Sequence, residues 1–213
     1  VEIPGHKKNK INAAYAIGGP KLLTETIEQS TGLRVDGYAE IGFGGFVNMI
    51  DAVGGIEMCL KEPIKDKDSH LDVPAGCQMM DGVTALGYVR MRKADPRGDL
   101  GRVERQRQML AALAKKLATP MTVINPVRYW SVTHAGASSL TTGNDTGVVD
   151  LARLGFGFMG IAGGDGLTLT VPIANSAAHT SAGSAVLWNE KRAKEMFDAI
   201  ANGDTAKLEQ FKK

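Results

Sequence analysis

An α/β fold layered as helix, sheet and helix is predicted by three features of the 213-residue sequence. Helix-like segments and short strands alternate along the chain. The helical segments carry start and stop residues. No internal repeat or linker divides the sequence, so one domain over 1–213 is expected.

The elements follow in order. PKLLTETIEQS (20–30) reads as an amphipathic helix opened by Pro20 and closed near Gly32. VDGYAEIGF (35–43) alternates as a strand does. GFVNMIDAVGG (45–55) reads as a short helix stopped by Gly54 and Gly55. IEMCL (56–60) is the next strand and leads into a charged loop. Asp81 can cap a short helix, GVTALGY (82–88). RGDLGRVERQRQMLAAL (97–113) opens the longest helix, which runs to about Ala118, with Pro120 and Asn125-Pro126 marking its end. Helices are expected over 125–138 and 147–160, the second capped by Asp145 or Thr146. GLTLTVPIA (166–174) reads as a strand, 174–184 as a Gly/Ser/Ala loop, SAVLW (184–188) as a strand and NEKRAKEMFDAIAN (189–202) as a closing helix. GFGFMGIAGGDG (155–166) has the composition of a flexible stretch.

A net charge of +2 is too small to argue by itself for a nucleic-acid partner. The charge is concentrated, however: six Arg and one Lys stand against three acids from Arg90 to Arg107. No run approaches the roughly 18 to 20 apolar residues that cross a bilayer. The chain has no initiator Met or signal peptide, and its first residues read as though an element had already begun. Cys59 and Cys77 have 17 residues between them. They are either two unrelated buried thiols or a disulfide, which would imply an oxidising compartment.

On a helical wheel with Asp99 at zero, Arg102 falls near about 300° and Gln106 near about 340°, in the arc that holds Met109, Leu110, Leu113 and Leu117. That arc is expected to face inward, with Arg105 and Arg107 as solvated flanks and Arg97 unassigned. A buried guanidinium needs an acid, a ligand or water, and an Asp99–Arg102 pair at i,i+3 is the plain structural alternative. In YVRMR (88–92), an extended backbone would project Arg90 and Arg92 to one side, whereas a helix would set them about 200° apart. A surface strand with solvated arginines is the alternative there. Arginines that converge suit a pyrophosphate, because guanidinium forks match phosphate oxygens.

Serine-elbow, zincin and phosphate-loop motifs are absent, and the four His are scattered. RGD at 97–99 is a weak adhesion signal, and NDT at 144–146 fits a glycosylation sequon but more simply a helix cap. A basic helix after a short one can imitate a DNA-binding pair, but Arg102 and Gln106 facing the core would leave a groove unread.

NKINAAYAIGG (9–19), GFVNMIDAVGGIEM (45–58) and LDVPAGCQMMDGVTALGYVRMRKADPRGDLGRVERQRQML (71–110) resemble the LytR-CpsA-Psr family of bacterial envelope proteins. The R-x-R-x(6)-D-x-x-R-x-x-x-Q spacing over Arg90, Arg92, Asp99, Arg102 and Gln106 is its most specific part. The resemblance implies a central mixed sheet with helices on both faces. It also implies an enzyme at the outer face of the cytoplasmic membrane that moves a glycopolymer from polyprenyl pyrophosphate onto peptidoglycan through a phosphodiester, with pyrophosphatase action on the side. Arg90, Arg92, Arg102, Gln106 and Lys10 would hold the pyrophosphate. Asp99 and Arg102 would be catalytic, with Asp99 near Mg²⁺ or the acceptor hydroxyl. Met109, Leu110 and Leu113 would line the lipid pocket. The paired Cys59 and Cys77 resemble actinobacterial members, whose cargo would be arabinogalactan. The family's transmembrane anchor, first strands and further magnesium carboxylates are expected upstream of Val1, so this chain alone is not expected to be a competent catalyst. A non-catalytic polyprenyl-phosphate or glycan carrier is the alternative, and no nucleic-acid partner is expected.

Overall fold

A computed structural model describes residues 1–92, 95–120, 124–143, 146–163, 167 and 169–212, with backbone alone at 148, 151, 158, 159 and 161–163. The chain forms two compact units, Val1–Tyr38 with Leu167–Lys213, and Ala39–Gly166.

The first unit begins with α1 (Ile11–Thr31), which is longer than the expected 20–30. Gly18 and Gly19 are non-helical, so Pro20 does open a helical segment, and Gly32 closes it in the left-handed conformation. The preceding turns had no readable start because Lys10, at the N-cap, makes no side-chain cap bond. The segment 174–184, expected as a loop, lies within a hairpin of β7 (Ile173–Thr180) and β8 (Gly183–Trp188). Among the described residues of the strand expected at 166–174, one bridge, from Leu169 to Lys212, precedes β7. Ala and Ser carry too weak a strand preference to mark β7 from sequence. α7 (Glu190–Ala201) is capped by Asn189, which accepts from the Arg192 N–H, and α8 (Thr205–Leu208) follows. Met196, Phe197, Leu208 and Phe211 form this unit's core, and Trp188 meets Phe197 edge-on at 5.6 Å.

The second unit runs β1 (Ala39–Ile41), α2 (Phe43–Ala52), β2 (Ile56–Leu60), β3 (Ile64–Asp66), β4 (Leu71–Val73), β5 (Gly76–Met80), α3 (Gly82–Arg90), α4 (Asp99–Leu117), α5 (Pro126–Ser139), β6 (Leu140–Thr142) and α6 (Val148–Gly163). Gly54 and Gly55, both at positive φ, end α2 as expected. The charged loop after β2 is instead two nested hairpins, β2 on β5 and β3 on β4. Cys59 stands directly opposite Cys77 in the outer ladder, and the two are joined as a disulfide. Asp81 caps α3 by accepting from the Thr84 N–H, and Asp51 accepts from the Gly82 N–H. Ile50, Val53, Ile56, Met80 and Met109 are the largest fully buried side chains of the core shared by α2, β2, β5, α3 and α4. The stretch 155–163 is helical within α6, while Asn144 and Asp145 of the sequon lie outside the described residues.

The mixed α/β class is as expected. Among the described residues, the strands form four two-stranded antiparallel ladders rather than one wide sheet.

Candidate functional site

The site is built where α3 stops and α4 begins. α3 ends at Arg90, and Met91 turns to an extended backbone (φ −51°, ψ 134°). The carbonyls at a helix end lack intrahelical donors. Two residues of α4 supply them. Arg105 donates through Nε to the Tyr88 carbonyl at 3.2 Å and through Nη2 to the Met91 carbonyl. Gln106 reaches the Val89 carbonyl at 3.5 Å.

Arg105 is 4% exposed and is ion-paired with Asp95. This overturns its expected place as a solvated flank. The inward row of α4 is Gly101, Arg105, Met109 and Leu113, one residue in four. Arg105 can be buried because Asp95 neutralises it and the Tyr88 and Met91 carbonyls accept from its Nε and Nη2. Gly101 makes room for this pair, since a Cβ there would fall 2.0 Å from Asp95 Oδ2. Burial alone would push the Asp95 carboxyl up. Hydrogen bonds from the Arg97 side chain and N–H, and from Arg105, outweigh it and hold the carboxyl at about 2. Arg97 also pairs with Glu104 at 2.5 Å. Tyr88, buried beside Arg105, donates to Gln108 at 3.1 Å, and its burial raises the phenol.

On this clamp the expected arginines converge, but not in the expected way. YVRMR is not extended: Tyr88 to Arg90 are helical and Arg92 lies beyond the turn. The helix ends between the two arginines, so the opposition that a continuous helix would impose never arises. Arg92 Nε and Arg102 Nη2 lie 3.1 and 3.2 Å from the same oxygen, Asp99 Oδ1. Arg90 packs over the Phe43 ring at 4.7 Å. Arg90 and Arg92 also line a cavity of about 190 Å³ with Asp66, Asp68 and Ser69. The i,i+3 pairing of Asp99 with Arg102 therefore exists, as one half of a two-arginine bridge.

Gln106 is exposed and Arg102 half-buried, so the row Arg102, Gln106, Leu110 faces outward rather than into the core. The sequence argument against a groove-reading helix fails with it. What replaces it is that Arg97 and Arg105 are ion-paired within the chain, while Arg92 and Arg102 share the single charge of Asp99. Of the three residues expected to line a lipid pocket, Met109 (1% exposed) and Leu113 (6%) are packed in the core, because they continue the Arg105 row. Leu110, at 45%, reaches the surface one turn beyond Gln106. Lys10 belongs to the other unit, where its Nζ would be 3.7 Å from a Cβ placed on Gly183.

Asp99, expected near magnesium, has one carboxylate oxygen shared between two guanidiniums. Among the described residues, no three His, Cys, Asp or Glu gather as a metal site. Asp99 is the one carboxylate of this cluster expected near magnesium, the further carboxylates being expected upstream of Val1.

A profile of the LytR_cpsA_psr family matches residues 1–202. The chain is 46% identical over 200 residues to the probable cell wall biosynthesis protein LcpB of Corynebacterium glutamicum, covering 94% of this chain and 47% of LcpB. It thus spans about half of that relative's length. Among solved structures, a LytR-Csp2A-Psr enzyme from Actinomyces oris superimposes with a TM-score of 0.72 at 22% identity, over 91% of this chain and 74% of that one. TagT bound to LIIa-WTA superimposes with a TM-score of 0.67 at 22% identity, over 95% and 74%. At that identity the two structures speak for the fold.

Proposed function

The chain belongs to the LytR-CpsA-Psr family, and on that premise we propose that it carries the donor-binding arginines of a cell-envelope phosphotransferase. The donor is a glycopolymer on polyprenyl pyrophosphate, the acceptor is a peptidoglycan hydroxyl and the product linkage is a phosphodiester. The cargo we favour is arabinogalactan, and the place of action is the outer face of the cytoplasmic membrane. The name of LcpB, probable cell wall biosynthesis protein, and the LIIa-WTA bound to TagT support a glycopolymer substrate.

The observation that carries this reading is the pair of guanidiniums on Asp99 Oδ1. A carboxylate oxygen held at 3.1 and 3.2 Å stands where a phosphate oxygen would be received. Asp99 keeps both forks aimed until the donor's oxygens accept from them, and Arg105 fixes the backbone from which Arg90 and Arg92 project. The acceptor oxygen then bonds to the glycan-bearing phosphorus. The bond from that phosphorus to polyprenyl phosphate breaks with the electron pair leaving on the phosphate, and the hydroxyl proton goes to a base. Positive charge around the equatorial oxygens lowers the barrier. The isoprenoid runs past Leu110, the apolar residue that continues the Arg102 row on the surface.

The test is Arg102→Ala in the organism's own copy of the gene, with envelope-attached glycopolymer measured and folding checked by circular dichroism. Attachment should fall about a hundredfold, the scale of losing one charge-stabilising donor. Normal attachment by the folded variant would sink the proposal. Donor binding by the wild type with no transfer at all would favour the carrier-protein reading.

A further inference from the structure

We infer that the cavity between the β3–β4 turn and the end of α3 is the acceptor-sugar subsite, with Asp66 receiving a hydroxyl of that sugar. This rests on the phosphotransferase reading and names the second substrate's place beside the donor arginines.

Asp66 is 6% exposed. Its Oδ1 accepts from the Asp68 N–H at 3.1 Å, while Oδ2 is buried with no hydrogen-bond partner. Ser69 Oγ, on the same wall, is buried and unpartnered as well. Buried polar atoms are ordinarily satisfied, and a carboxylate oxygen left bare is costly unless something arrives to meet it. The turn bearing these groups is held against α3 at Gly87, where a Cβ would come 2.9 Å from the Ser69 carbonyl oxygen. His70, the next residue, takes up positive φ (54°) to make the turn.

The wall chemistry selects the ligand class. Arg90 and Arg92 oppose a cation, and Asp66 with Asp68 opposes a second anion. A neutral polyol can donate to Asp66 Oδ2 and accept from the guanidiniums at once. The cavity, about 190 Å³, is small, on the scale of a single sugar ring rather than an oligosaccharide. Arg92 serves both places, lining the cavity and bonding Asp99. A hydroxyl seated on Asp66 therefore lies next to the oxygens that the donor would present. Asp66 Oδ2 has no partner within the chain, whereas Asp99 Oδ1 is shared by two arginines until the donor arrives.

The experiment compares wild-type whole protein with Asp66→Asn, which retains the oxygen facing Asp68 and removes only the second acceptor. Farnesyl diphosphate affinity is measured by calorimetry, and transfer kinetics are measured with soluble peptidoglycan glycan fragments. The acceptor KM should rise about tenfold, the effect of one charge-assisted hydrogen bond, with farnesyl diphosphate affinity unchanged. An unchanged acceptor KM overturns the inference. So does an equal loss of donor affinity, which would make Asp66 part of the arginine seat. A wild type that binds no farnesyl diphosphate overturns the phosphotransferase reading itself. Should Asp66→Asn not fold, Ser69→Ala replaces it. A rise of about threefold in acceptor KM is expected from losing a neutral hydrogen bond, and no rise counts against the subsite.

Discussion

Arg105 and Asp95 brace the α3–α4 junction without lining the cavity that Arg90 and Arg92 share. Removing one partner of a buried, hydrogen-bonded ion pair leaves the other charge unmet and costs about 3–5 kcal/mol. Arg105→Ala and Asp95→Asn should each lower the denaturation free energy by that amount, read from urea unfolding. Gly101→Ala gives a sharper check. A helix-interior Gly→Ala change ordinarily stabilises by up to about 1 kcal/mol, but here the new Cβ would strike Asp95, so the sign should reverse. The pair also sets a pH window. The Asp95 carboxyl titrates at about 2 in the folded chain, below its ordinary 3.8, so folding is favoured above about pH 4. That contribution is lost as the pH falls toward 2. Acid unfolding followed by circular dichroism should be steep in this window for the wild type and shallower for Asp95→Asn. Arg105 was legible in principle, since Gly101, Arg105, Met109 and Leu113 repeat every fourth residue. Taking Asp99 as the centre of the inward face shifted the arc by about one residue's rotation and put Arg102 and Gln106 in its place.

At the scale of elements, helices with caps were readable and short strands were not. Asp81, read as a cap from the sequence, accepts from the first turn of its helix, and Asn125 and Asn189, residues of a type that favours this position, do the same. β3 and β4 are three residues each, with Lys, Asp and His around them, and no alternation can be established over so short a run. Their pairing is enforced from outside by the β2–β5 ladder and the Cys59–Cys77 bond that closes it. That bond encloses an 18-residue separation, worth about 3 kcal/mol in the chain-entropy account. Reduction, or Cys59→Ser with Cys77→Ser, should lower the unfolding free energy by that order in a thermal melt under matched conditions. Because the same excursion carries Asp66 and Ser69, acceptor transfer should decline before the helices melt.

For the whole molecule, the +4 segment from Arg90 to Arg107 was conspicuous in the sequence, but its meaning was not. The structure divides it by role. Arg97 and Arg105 secure the α3–α4 junction, Arg92 and Arg102 share Asp99, and Arg90 rests on Phe43. The family spacing names Arg90, Arg92, Asp99, Arg102 and Gln106 as candidates. It could not give the surface that Gln106 faces or the hairpins opposite Arg90, since both depend on contacts made between elements. The central claim is that Arg92 and Arg102 form a seat for a pyrophosphate. Titration calorimetry of farnesyl diphosphate into the whole protein, and into its Arg92→Ala and Arg102→Ala variants, tests it directly. The account predicts saturable binding by the wild type, weakened by salt, with about tenfold or greater loss in each variant. Equal affinity in all three folded proteins would contradict it.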